Sequence, residues 1–279
     1  MKINGAASAA LICILLFAVF NISAQSEREK FPGVVIPGAH LRTLKSKDTG
    51  RTYDLYFQLP DLKAGKKYPV LFVLDGQWDF KLLDSVYGGL HYDKFVPEMI
   101  IVGITYSGKN PNYDQLRAMD YTPTAVKNVP GSGDAAKFLD FLKKDVFPFV
   151  EKNYQADASK RILMGSSYGG LFTLYAMFTE PELFYGYVAA APAVSFDDNF
   201  SFKQEKKFAE TNKNLPVRLS ISVGGVEELT PSVKAFMDVL KSRAYSGLKL
   251  ETRVIEGERH AGNKPEAYNR GLRFMFNDQ

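Results

Sequence analysis

Between residues 52 and 59 apolar and polar positions alternate. Tyr53, Leu55, Phe57 and Leu59 fall on one side, Thr52, Asp54, Tyr56 and Gln58 on the other. A period of two predicts a strand with one buried face. Asp48-Thr49-Gly50 supplies a turn before it, so residues 41–59 read as an antiparallel hairpin. The pattern then changes to short continuous apolar runs at 70–74, 99–104, 161–164, 187–191 and 217–223, with one more alternating strand at 248–255. Runs of this kind suit strands covered on both faces, as in a parallel sheet. Helical spacing lies between them. Thr230-Pro231 offers an N-cap hydroxyl and a proline at the first helical position, and Val233, Phe236, Met237 and Leu240 follow on one face. Residues 134–150 carry Phe138, Leu142 and Val146 on a face, with Pro148 expected to kink the end. Residues 168–179 and 265–276 complete the helices. Residues 105–131, with three prolines and little periodicity, read as a long ordered loop. Strand–helix alternation after a hairpin predicts an α/β fold, a mostly parallel sheet with antiparallel strands at one edge and helices on both faces.

The first residues are different in kind. Lys2 precedes an almost wholly apolar run at 8–20, and Ile22-Ser23-Ala24 puts a small residue at a cleavage position. This predicts a signal peptide over 1–24, and a periplasmic or secreted domain over 25–279. The competing reading is an uncleaved anchor, for which the run is short against the roughly 20 residues a spanning helix needs. The single cysteine, Cys13, lies in that run, so the exported domain would have no thiol nucleophile, disulfide or cysteine metal site. A formal charge of +4, with 35 basic and 31 acidic residues dispersed along the chain, is no nucleic-acid footprint. No cofactor is expected, and no metal, since no His/Asp/Glu cluster has ligand spacing. Beyond the signal peptide no membrane contact is expected, and the oligomeric state is open.

Candidate chemistry begins at Gly165-Ser166-Ser167-Tyr168-Gly169, a G-x-S-x-G string. The string alone is weak evidence. It lies between a predicted strand and a predicted helix, the setting a nucleophile elbow requires, and Ser167 has the right spacing within it. The competing reading is a glycine-rich turn with a solvated serine. Of the three histidines, His40 and His91 precede Ser167, whereas this fold runs serine, acid, histidine. His260, just after the strand at 248–255, is the candidate base. The acid should follow the preceding strand, where Glu227 is the first choice and Glu228 the second; either could instead be a carboxylate at the start of the next helix. Gly224 and Gly225 would let the chain turn tightly towards His260. Two N–H donors should face the developing oxyanion. One is expected from Tyr168, the other from Gln77 in the loop after the strand at 70–74. Asp75 reads as a structural carboxylate. Trp78 either lines the pocket or packs in the core. Arg117 either meets an anionic substrate or pairs with Asp120 to fix its loop.

Leu74-Asp75-Gly76, Arg117–Pro123 (RAMDYTP), Gly165–Leu171 and Gly257–His260 together resemble the putative-esterase family of α/β-hydrolases. That family includes ferric-siderophore, feruloyl and acetylxylan esterases, S-formylglutathione hydrolases and mycolyltransferases. The resemblance runs from about residue 35 to 275 and is strongest to the branch of periplasmic ferric-enterobactin-type esterases. It implies Ser167 as nucleophile, His260 as base and, more weakly, Glu227 as acid. Ala191-Pro192-Ala193 departs from the serine–proline–serine common in relatives, which bears on the transfer of any substrate. The expected activity is hydrolysis of a small-molecule carboxylic ester through an acyl-enzyme, with siderophore and carbohydrate-linked esters as candidates. Acyl transfer by the same machinery and a non-catalytic binding protein on a hydrolase scaffold are the competing readings.

Overall fold

The computed structural model describes residues 34–277. The hairpin forms from β1 (His40–Lys45) and β2 (Thr52–Gln58), paired antiparallel. Tyr53, Leu55 and Phe57 are fully buried, as the alternation requires. β2 also runs antiparallel to β4 (Ile100–Tyr106), and from there the sheet is parallel through β3 (Tyr68–Val73), β5 (Ala156–Ser166), β6 (Gly186–Ala190), β7 (Arg218–Gly224) and β8 (Lys249–Ile255). Its order is β1-β2-β4-β3-β5-β6-β7-β8. Every residue of β3, β4, β6 and β7 is buried, the physical meaning of the continuous apolar runs.

The helices are α1 (Gly76–Tyr92), α2 (Tyr113–Tyr121), α3 (Ala135–Phe141), α4 (Phe147–Asn153), α5 (Tyr168–Thr179), α6 (Phe196–Thr211), α7 (Thr230–Arg243) and α8 (Lys264–Phe276). Four features depart from the sequence expectations. The helix expected over 134–150, with a kink at Pro148, runs on past that residue. A π-helical turn at Leu142–Val146 joins α3 to α4, and the chain stays helical to Asn153; the wider turn suits a proline that offers no N–H to the preceding turn. The expected loop at 105–131 contains α2, started by the Asn112 side chain accepting the Gln115 N–H at 3.2 Å. Its buried residues include Asp120, and a buried carboxylate breaks the apolar period that would mark the helix. Helices α1 and α6 have no counterpart among the sequence expectations. Within α6, Asp197, Asp198 and Asn199 are left-handed, so the segment does not begin as an ordinary helix. Finally, the Thr230 hydroxyl donates to the Gly224 and Glu227 carbonyls at 2.6 and 2.7 Å. It fastens the loop before α7 instead of capping the helix.

Parallel register brings the C-terminal ends of β3, β5, β7 and β8 to one edge, through pairs such as Val73↔Met164 and Gly224↔Ile255. The loops after those strands carry every candidate catalytic residue. Among the described residues no helix is long and apolar enough to cross a membrane. The expected signal peptide and the start of its domain at residue 25 lie outside the described residues.

Candidate active site

Ser167 joins β5 to α5 with φ 59° and ψ −118°, a conformation that costs a non-glycine residue about 1–3 kcal/mol. Three backbone bonds hold it there. Its N–H donates to the Ala190 carbonyl at 3.0 Å, and its carbonyl accepts from Leu171 N–H at 2.9 Å and Ala193 N–H at 3.2 Å. The turn is tight enough that a Cβ on Gly165 would lie 2.5 Å from the Gly169 backbone. Tyr168 opens α5, where the leading N–H groups have no partner within the helix.

Glu227 and His260 come together. The Glu227 side chain is 3% exposed, and its Oε2 lies 2.5 Å from His260 Nδ1. Because a carboxylate only accepts, the neutral imidazole carries its hydrogen on Nδ1, which leaves Nε2 as the basic atom. Glu227 Oε1 accepts from the Gly224 N–H at 2.8 Å and from Asn263 Nδ2 at 3.2 Å. A Cβ on Gly224 would collide with the Glu258 carbonyl oxygen and approach Glu227 Oε1 to 2.9 Å, so glycine lets the two loops meet. Glu228 is exposed on the wall of the same cavity. That cavity, of about 480 Å³, is lined by Ser167, Tyr168, Ala193, Val226, Glu227, Glu228, Leu229, Arg259 and His260. His40 sits in β1 and His91 in the last turn of α1; neither lines it.

The loop after β3 sits against this centre. Asp75 is left-handed at φ 56°, and a Cβ on Gly169 would approach its Oδ2 to 3.4 Å. Gln77 occupies the second position of α1, within the turn whose N–H groups lack helical acceptors. Its side-chain Oε1 accepts from the Thr105 hydroxyl at 2.6 Å. Arg117 pairs with Asp75, not with Asp120: Nε and Nη2 donate to the two carboxylate oxygens at 2.9 and 2.7 Å, and Nη2 reaches the Ser166 carbonyl at 3.3 Å. Its guanidinium lies 5.4–5.9 Å from the rings of Tyr168, Trp78 and Tyr121. Burial alone would lower the Arg117 pKa, but the Asp75 hydrogen bonds and charge outweigh it and hold the cation. As placed, Arg117 braces the loops after β3 and β5 and does not line the cavity. Asp120, one turn along α2, instead meets Arg51 and the Tyr53 hydroxyl. Trp78 is 42% exposed and packs edge-on against Tyr113, so it belongs neither to the core nor to the cavity wall.

Two contacts were not legible in the sequence. Asn263 is fully buried and donates to Glu227 and to the Arg259 and His260 carbonyls; no motif marks it. Asp79 on α1 accepts from Lys264 Nζ at 2.8 Å and from the Tyr268 hydroxyl at 2.5 Å on α8, tying the helix after His260 to the helix that carries Gln77. Their separation of more than 180 positions in sequence hides that contact. Among the described residues no group of three or more His, Cys, Asp or Glu is placed to hold a metal.

The sequence profile of the family described as Putative esterase matches residues 46–261. The ferri-bacillibactin esterase BesA of Bacillus subtilis is 28% identical over 86% of this chain and 90% of its own. The siderophore triacetylfusarinine C esterase of Aspergillus fumigatus is 31% identical over 83% and 91%. The crystal structure of an IroE-like serine hydrolase from Shewanella oneidensis superposes with a TM-score of 0.76 at 26% identity, covering 86% of this chain and 80% of that one. The sheet edge, the cavity and these likenesses agree: the chain belongs to the Putative esterase family and is a carboxylic ester hydrolase of the α/β-hydrolase fold.

Proposed function

We propose that this protein hydrolyses siderophore esters through an acyl-enzyme on Ser167. The observation that carries the reading is the 2.5 Å Glu227–His260 contact on the wall of the cavity that Ser167 also lines. Ser167 Oγ attacks the ester carbonyl carbon while His260 Nε2 takes its proton. Glu227 keeps the ring in the tautomer that exposes Nε2 and stabilises the imidazolium that forms. The N–H groups of Tyr168 and Gln77, each at the start of a helix, donate to the tetrahedral oxyanion. His260 then protonates the departing alkoxide. Water attacks the acyl-enzyme with His260 again as base, which releases the acid and restores Ser167. The siderophore assignment rests on the relatives in Bacillus subtilis and Aspergillus fumigatus, whose names state those substrates. Export rests on the apolar run at 8–20 and the small residues before position 25.

The test is an ester panel of nitrophenyl acyl esters, feruloyl and acetyl sugars and siderophore lactones, run on the wild type, Ser167→Ala and His260→Ala. The reading expects the highest kcat/KM on siderophore esters and a loss of at least about 1,000-fold in both variants. Preference for a sugar ester would overturn the substrate, and turnover surviving Ser167→Ala would overturn the mechanism.

A further inference from the structure

Asn263 breaks a local rule. A polar residue at a helix start ordinarily turns its side-chain oxygen towards the free N–H groups of the first turn. Asn263 immediately precedes α8, yet its side chain makes no capping bond, and Oδ1 is buried with no protein partner among the described residues. Its Nδ2 instead faces three acceptors, the His260 carbonyl at 2.7 Å, Glu227 Oε1 at 3.2 Å and the Arg259 carbonyl at 3.3 Å. Flipping the amide would set Oδ1 against those three oxygens, so the neighbours fix its orientation. A buried residue that forgoes its local role and spends both hydrogens on a catalytic loop points to function.

We infer that Asn263 is a positioning residue that binds the acid and the base into one unit. One hydrogen holds the Glu227 oxygen that does not face the imidazole, and the other holds the backbone of His260 itself. Glu227 Oε2 is thereby aimed at Nδ1, and the ring is held on the wall of the cavity that Ser167 also lines. The inference rests on the esterase reading for its kinetic consequence, but its geometric part can be read without turnover.

The experiment compares the full-length wild type with Asn263→Ala, Glu227→Gln and the double variant on a nitrophenyl ester, alongside proton NMR of the low-field His260 Nδ1–H resonance. Asn263→Ala should lower kcat about 10- to 100-fold, the scale of one hydrogen bond to a charged acceptor, with KM changed by less than about threefold. In the Glu227→Gln background the same substitution should cost less than about threefold more, because the carboxylate it orients is gone and only its hold on the His260 backbone remains. The low-field resonance should move upfield or broaden in Asn263→Ala. Asn263→Asp keeps the side-chain shape without the two hydrogens and should lose at least as much kcat, which preserves the test if the alanine variant folds poorly. Equal losses in both backgrounds, or an unmoved resonance with kcat within twofold of wild type, would overturn the inference. A resonance that shifts as expected in Asn263→Ala while the wild type cleaves no ester would count against the esterase reading alone.

Discussion

Ser167 is held in a backbone conformation it would not choose, and the residues around it show how that is sustained. Its three backbone hydrogen bonds reach β6, α5 and the loop after β6, so relaxing its φ would break contacts in three directions. The neighbouring glycine is required by space, since a Cβ at position 165 meets backbone that cannot swing away. Gly165→Ala is therefore expected to destabilise the fold by about 1–3 kcal/mol, the range for overpacking, and to lower turnover further by displacing the Tyr168 N–H. Chemical denaturation together with steady-state kinetics measures both. The elbow was readable in sequence because its steric demand leaves glycines at fixed spacing. The pairing of Arg117 was not legible: of the carboxylates near it along the chain, Asp120 is taken by Arg51 and Tyr53, and the partner it does have, Asp75, comes from the loop after β3, 42 positions away.

At the scale of elements, the proposed site draws on two helix starts, those of α1 and α5, and on the loop that leads into α8. Arg117 on α2 ties the first two through Asp75 and the Ser166 carbonyl. Asp79 ties α1 to α8 through Lys264 and Tyr268. Burial raises the Asp79 pKa, and Lys264 and Tyr268 oppose that shift only in part, so removing the lysine leaves a buried carboxylate without its countercharge. Lys264→Met should cost about 3–5 kcal/mol, and the Asp79→Asn/Lys264→Met pair should recover part of it; urea unfolding of the three variants tests this. Most strands and helices were legible because one face or both faces of each are apolar, whereas β1, exposed along most of its length, was marked by the turn that follows it. Helix α2 was hidden by its buried Asp120, and α6 by a left-handed start at Asp197–Asn199 that no periodicity marks.

In the whole molecule, parallel register from β3 to β8 sets where chemistry can occur, and strand order brings residues far apart in sequence to one edge. The hairpin and α2 are fastened to that framework by the Arg51–Asp120–Tyr53 cluster. Burial lifts the Asp120 pKa to about 6, with Arg51 only partly offsetting it. The folded state then binds a proton there more tightly than the unfolded chain, so this carboxyl's contribution to stability is full at low pH and declines as pH rises from about 4 to about 6. Relative to Asp120→Asn, the wild type should lose about 1–3 kcal/mol of unfolding free energy over that window, as measured by urea titration of both proteins at several pH values. That strands and helices alternate after a hairpin was legible from pattern alone, whereas the order of strands in the sheet, helices α1, α2 and α6, and this cluster were not; the cluster joins Arg51 and Tyr53 to Asp120 in a distant segment. The most direct measurement of the central claim is intact-mass spectrometry and peptide mapping after reaction with a fluorophosphonate. The account predicts a single adduct on Ser167, lost in Ser167→Ala and strongly slowed in His260→Ala; an unlabelled folded protein, or an adduct on another residue, would contradict it.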